Sequence, residues 1–259
     1  MKILIAVLSC HSLRYYEESL RYTWEYEVPS EADFHFFLGK PDGVRVSDEV
    51  ILPVEDDFSN LTHKTVAVYR WALEHGYDFV WKFDLDTLVR PQLLLSSGLE
   101  AHNWVGGQNS FFASGGAGYG LSKLAMEYVV EAGGAPGFEE DVHIARILLG
   151  KGLQLHNDER FKFCPGDVMD DRTITFHLSS VREWYFKGYR PEMLLEAWAD
   201  QKARTIGRTL SRRHQVIAHS LCRREPLEGS DTDALTHYTG WPRLCRQCVC
   251  ACLLPPRHR

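Results

Sequence analysis

Tyr77-Asp78-Phe79-Val80-Trp81-Lys82-Phe83-Asp84-Leu85-Asp86 is the stretch on which the fold turns. Tyr77 to Phe83 is strongly apolar and aromatic, of a length that suits a strand and falls short of a helix. It runs straight into the acidic triplet Asp84-Leu85-Asp86. In open α/β sheets, ligands bind beyond the carboxyl ends of the strands. The triplet therefore sits where a site is expected.

Working upstream, Asn60 stands as an N-cap before a predicted helix from Leu61 to His75 that Gly76 ends, with Leu61, Thr65, Val68 and Ala72 on its inner face. Val46 to Val54 reads as a strand, as does Asp33 to Leu38, the latter closed by Gly39 and Pro41. Ser12 to Trp24 reads as a helix burying Leu13, Tyr16, Leu20 and Trp24, and Lys2 to Leu8 as the first strand. Downstream come a glycine turn (Gly115, Gly116, Gly118), a helix from Leu121 to about Ala132, and a loop carrying Gly133, Gly134, Pro136 and Gly137. A helix from Glu140 to Leu149 and a late strand-like run, Thr173 to His177, follow. Strand, helix, strand, strand, helix, strand is the rhythm of an α/β domain: a mostly parallel, Rossmann-like sheet flanked by helices. From about residue 201 arginines multiply, apolar periodicity fades and the chain becomes Cys- and Pro-rich. The expectation is one domain over 1–200 and an appendage over 201–259 with the composition of a poorly ordered extension.

The bulk numbers narrow the function classes. The chain has 259 residues, 44% of them hydrophobic and 25% charged, as in an ordinary globular protein. A net charge of -6 argues against a nucleic-acid partner. No apolar run is long enough for a membrane span, and Ile3–Leu8 reads as a buried strand instead of a signal-peptide core. Of seven cysteines, Cys245, Cys248, Cys250 and Cys252 bunch at the end, while Cys10, Cys164 and Cys222 lie far apart. That spacing predicts free thiols in the main body and a reducing, cytoplasmic setting. The terminal cluster has one ligand pair where a zinc module has two, so no metal role is assigned to it.

Three constellations carry chemistry. Asp84 and Asp86, on the turn after a strand, suit a divalent ion that neutralises a leaving diphosphate: Mn²⁺ or Mg²⁺ takes one or two carboxylates plus phosphate oxygens. An isolated Asp-x-Asp is equally a turn-capping device, and its place after the strand is what makes it informative. A phosphatase that forms an aspartyl-phosphate needs Asp-x-Asp-x-Thr on its first strand. Here Thr87 is one position too early and earlier strands precede it. Glu139-Glu140-Asp141 opens a helix: Asp141 suits a general base, but acids there also answer the free N–H groups and the dipole, and locally that plainer reading is preferred. His177 suits a metal ligand, though a lone His on a strand more often serves the fold.

In order along the chain, Arg21-Tyr22-Thr23-Trp24, Asn60-Leu61-Thr62-His63-Lys64-Thr65, Lys82-Phe83-Asp84-Leu85-Asp86, Ser114 to Ser122 and Glu140-Asp141-Val142 resemble the signatures of β-1,3-glycosyltransferases. That family includes the galactosyltransferases, Fringe enzymes and core 1 galactosyltransferase; Gly115–Ser122 and Thr175-Phe176-His177 are most similar to the core 1 branch. The resemblance covers about residues 1 to 195. It implies a GT-A fold, a UDP-sugar donor, Mn²⁺ (or Mg²⁺) dependence and an inverting hexosyltransferase making a β-1,3 linkage to a glycan or glycoprotein acceptor. Carried over by position, it implies Asp86 as the metal carboxylate, with Asp84 beside metal and ribose. It further implies His177 as second metal ligand, Asp141 as base, and Gly115 and Gly116 as close approaches to donor and acceptor. Arg21 and Lys82 join the donor site by the same resemblance. The chain departs in having Leu85 at the middle of the triplet, in starting its first strand at Lys2 without the anchor and stem of Golgi members, and in lacking their paired cysteines. Those departures suit a soluble enzyme of microbial or viral type. Trp184, after His177, is an acceptor-platform candidate or a core aromatic. A non-catalytic UDP-sugar- or glycan-binding protein on the same fold is the alternative. Donor sugar, acceptor and oligomeric state are not readable from these residues.

Overall fold

The computed structural model describes residues 1–40, 46–137, 139–164, 166–178 and 193–199. The chain divides into two compact units, Met1–Leu194 and Leu195–Arg259. Of the second, residues 195–199 are described and are helical. Trp184, the 201–259 extension and the terminal cysteines lie outside the described residues.

The first unit is an α/β fold around a seven-stranded sheet. Its strands and helices in chain order are β1 (Ile3–Leu8), α1 (Tyr15–Tyr22), β2 (Ala32–Lys40), β3 (Glu49–Glu55), α2 (Leu61–Glu74), β4 (Phe79–Asp84), β5 (Thr87–Val89), α3 (Pro91–Leu95), β6 (Trp104–Gly106), β7 (Gln108–Asn109), β8 (Phe112–Ala113), β9 (Tyr119–Ser122), α4 (Lys123–Ala132), α5 (Glu140–Gly150), β10 (His156–Asn157), β11 (Phe161–Lys162) and β12 (Thr175–His177). The main sheet runs β10-β6-β9-β4-β1-β2-β3. β1 pairs in parallel with β2 and β4, and β2 with β3, while β9 is antiparallel to both β4 and β6. A second sheet, β11-β12-β5, sets β12 antiparallel to β5 with His177 opposite Thr87.

Burial follows the strand alternation. All of β1 is buried, as an unbroken apolar run on a central strand requires. Leu4, Ala6 and Leu8 join α2, α4 and α5 in one core through Val68, Ala72, Met126, Val129, Ile144 and Leu148. The opposite layer is aromatic. Trp24 meets Phe83 edge-on at 6.0 Å, and Trp81 stacks on Phe83 at 6.5 Å and on Phe161 at 5.8 Å. Gly118 and Gly120 belong to this layer: a Cβ on Gly118 would lie 2.1 Å from the Phe83 ring, and one on Gly120 would lie 2.5 Å from Phe79.

Several boundaries differ from the sequence reading. The predicted Ser12–Trp24 helix is a 3-10 turn at His11–Leu13, then α1, then a second 3-10 turn at Glu25–Glu27; Leu13 is exposed, while Tyr16, Leu20 and Trp24 are buried. Gly39 does not close its strand but lies inside β2, where a Cβ would strike the Val54 carbonyl at 2.7 Å. Asn60 caps nothing with its side chain. Asp57 caps the 3-10 turn Phe58–Asn60 that leads into α2, accepting from the Asn60 backbone N–H at 3.0 Å and from its amide at 2.9 Å. Leu121 starts no helix; it lies in β9, and Ser122 caps α4 by accepting from Ala125 N–H. The sheet is parallel on one side of β4 and antiparallel on the other. Cys10 and Cys164 are free thiols. Among the described residues no helix is long and apolar enough to cross a membrane.

Candidate active site

The site is built where β4 ends. Alternation turns Val80, Lys82 and Asp84 toward the helix layer, and Trp81 and Phe83 toward the aromatic layer. Lys82 is 1% exposed, and a buried ammonium needs partners. It has three: Asp84 Oδ1 at 2.8 Å, Glu140 Oε2 at 3.4 Å and the Gly115 carbonyl at 3.4 Å. Those match its three donors. Its acidic neighbours outweigh desolvation and hold the ammonium above its usual range.

Asp84 has an outer edge 31% exposed but is set deep among protein atoms. That setting raises its carboxyl above the usual range, against the pull of Lys82 and with a further push from Asp86. Asp86 follows on the turn, and its backbone carbonyl accepts from Leu178 N–H at 3.0 Å, tying the turn to the chain just past β12. His177 comes in on β12, and its Nε2 lies 3.0 Å from Asp86 Oδ2. Burial would lower the imidazole, but Asp86 and Asp84 win and raise it.

The glycine turn packs onto these groups. A Cβ on Gly116 would meet three atoms of the His177 ring at 2.5–2.7 Å. Its bareness therefore seats the imidazole. A Cβ on Gly115 would come within 3.1 Å of Glu140, 3.3 Å of Asp141 and 3.4 Å of Lys82. The Gly115 N–H donates to Asp141 Oδ2 at 3.0 Å, and Val142 N–H to Asp141 Oδ1 at 2.8 Å. Asp141 is half-buried, and each of its oxygens keeps a lone pair beyond these bonds.

The structure thus brings together Lys82, Asp84, Asp86, Gly115, Gly116, Asp141 and His177. Two residues expected at the donor site are held by partners within the protein. Lys82 is an internal counter-ion whose donors are all engaged. Arg21 is elsewhere: it binds Asp48 at 2.7 and 2.9 Å and Glu17 at 2.9 Å, with its guanidinium 4.7 Å over the Phe36 ring. Asp48 and Glu49 stand at β3, three strands from β4, or roughly 14 Å across a sheet. Arg21, Arg14, Tyr15, Tyr22 and Glu49 line a separate cavity of about 480 Å³ along α1.

Other members escape sequence reading. Trp24 Nε1 donates to the Thr87 carbonyl at 3.0 Å, and Thr87 Oγ1 donates to the Gly116 carbonyl at 2.7 Å. The Trp of the Arg21–Trp24 run therefore supports the turn that seats His177. Lys64, 3% exposed, donates to the Ser9 carbonyl at 2.8 Å and pairs with Asp56, joining α2 to the end of β1. Tyr119 and Glu140 have a readable signal only in retrospect: a lysine inside an apolar strand demands a buried acid.

No protein-family profile matches the chain, and no curated protein does. One solved structure of similar fold is a "putative nucleotide-diphospho-sugar transferase" from Desulfovibrio desulfuricans G20. It is 13% identical, aligns over 60% of this chain and 79% of its own, and has a TM-score of 0.40. Similarity of this degree says nothing of this chain's substrate.

Proposed function

We propose that the protein is an inverting, metal-dependent glycosyltransferase of GT-A type that moves a hexose from a UDP-sugar to a hydroxyl of a glycan or glycoprotein, forming a β-1,3 linkage. One observation carries this reading. His177, from a strand far along the chain, meets Asp86 on the turn just beyond Asp84 at the carboxyl end of β4, and Asp141 sits across the glycine turn from them.

The donor set fits Mn²⁺ or Mg²⁺. Among the described residues no group of three or more His, Cys, Asp or Glu side chains forms an ion-holding cluster. An Asp86–His177 pair with Asp84 nearby is instead the set expected of an ion that draws the rest of its shell from phosphate oxygens and water. Asp86 and His177 would hold it, and when bound it neutralises charge on the departing diphosphate. The chain's own residues do the rest. Lys82 favours the ionised form of Asp84. Gly115 and Val142 N–H groups fix the Asp141 carboxylate. Asp141 takes the proton of the acceptor hydroxyl as that oxygen bonds to the anomeric carbon and the carbon–phosphate oxygen bond breaks on the opposite face, giving inversion.

The test is UDP release from a panel of UDP-sugars with and without Mn²⁺, with hydrolysis as the readout when no acceptor is supplied. Release from at least one donor, dependent on the ion, is expected. UDP binding without release from any donor would make the protein a binding module.

A further inference from the structure

Glu140 has no part in the chemistry above, yet it is 3% exposed and fully engaged. As the first residue of α5 it was a candidate for answering free helix N–H groups. Its carboxylate does something else. Oε1 accepts from the Tyr119 hydroxyl, and Oε2 faces Lys82 Nζ at 3.4 Å. Tyr119 is 1% exposed and lies on β9 directly opposite Lys82 of β4. Tyr69, from α2, donates to the Tyr119 hydroxyl at 3.0 Å from the core side. Lys82 in turn reaches Asp84 at 2.8 Å and the Gly115 carbonyl at 3.4 Å.

We infer that Glu140 is a positioning residue: with Tyr119 and Lys82 it braces the start of α5 against the end of β4, and so fixes Asp141 relative to Asp84. The functional roles of those two aspartates rest on the proposed transferase; the brace itself is a matter of contacts. Asp84 and Asp141 sit on different elements, and the Lys82 ammonium bonded to both Asp84 and Glu140 is the polar link that joins them through the core. The same ammonium holds the carbonyl of Gly115, whose N–H holds Asp141. Glu140→Gln would either turn an amide N–H₂ toward the ammonium or leave Tyr119 facing a donor, and it removes the ionic attraction in both cases.

The experiment compares Glu140→Gln, Tyr119→Phe and Tyr69→Phe in the full chain. It reads amide hydrogen exchange over residues 139–145 and kcat and KM for UDP release from whichever UDP-sugar the panel identifies. Glu140→Gln and Tyr119→Phe are expected to speed exchange there. They are also expected to cut kcat, about 100-fold for Glu140→Gln given what an ångström-scale misplacement costs, with KM for the donor unchanged. Tyr69→Phe, one bond further into the core, changes neither. If Glu140→Gln does not fold, Tyr119→Phe carries the test. Wild-type exchange and wild-type kcat in the folded variants overturn the inference, as does an equal effect from Tyr69→Phe. If the wild type releases UDP from no donor, exchange alone decides. Faster exchange keeps the brace while the transferase reading falls, and unchanged exchange sinks both.

Discussion

Gly116 and Gly118 each yield the place of a Cβ to a neighbouring ring, to different ends. Gly116 leaves room for the imidazole of His177, and Gly118 adopts φ +80 with the Phe83 ring where its Cβ would be. Gly116→Ala is expected to displace His177. Mn²⁺ affinity should fall roughly 10- to 100-fold, as when a supporting contact of a ligand is lost, while the melting temperature holds. A titration of Mn²⁺ followed by its electron paramagnetic resonance signal measures this, and unchanged affinity would contradict the seat assigned to His177. Gly118→Ala is expected to cost about 1–3 kcal/mol from backbone conformation alone, with the clash against Phe83 added, read from urea unfolding. The residue identities at this site were legible in sequence; their partners were not. Asp84, Asp86 and Asp141 stand out as acids at the ends of elements. The pairing of Lys82 with Glu140, and of His177 with Gly116, joins residues distant in the chain, and no local pattern encodes such contacts.

Element α1 carries a titration of its own. Its Glu17 is buried, beside Glu49, and bonded to Ser9. Burial first, then Glu49, raises its carboxyl from 4.5 to about 7. The folded state thus holds a proton that the unfolded chain releases above about pH 4.5. Stability from this group is complete below that pH and is lost as pH rises through about 7. Glu49 is opposite in sign: burial would raise it, but bonds from Arg14 and the Val46 N–H hold it low, so its share is lost only in acid. Glu25, also raised to about 7 by burial and Asp48, adds slope in the same window as Glu17. Glu17→Gln is therefore expected to flatten, without abolishing, the fall in urea-unfolding stability between about pH 5 and pH 8. An unaltered slope would contradict the assignment. Helices here were easier to read than strands. α2 and α5 appear within a residue of their expected bounds, because apolar spacing at helical period is a local signal. β9 was missed because Tyr119-Gly120-Leu121-Ser122 pairs through Gly120, which exists to admit Phe79 and Trp81.

At the scale of the molecule, β4 is the axis. β1 and β4 run in parallel and β9 against them, so the acidic turn after β4 faces the glycine turn before β9. The order of elements made an α/β sheet readable. The switch from parallel to antiparallel at β9 was not, since neighbouring strands on either side of it are set by tertiary packing. β5 and β12 then carry Thr87 and His177 to the same place from another sheet. Arg21, expected at the donor by resemblance, is bonded to Glu17 one turn back on its own helix and to Asp48 just before β3.

The central claim is that Asp86, with His177, holds the ion on which sugar transfer depends. The most direct measurement is the Mn²⁺ dependence of UDP release by the wild type and by Asp86→Ala, with circular dichroism to show that both are folded. Saturable activation of the wild type and flat, near-background release in the variant is the expected result; full Mn²⁺-activated turnover in Asp86→Ala would contradict it.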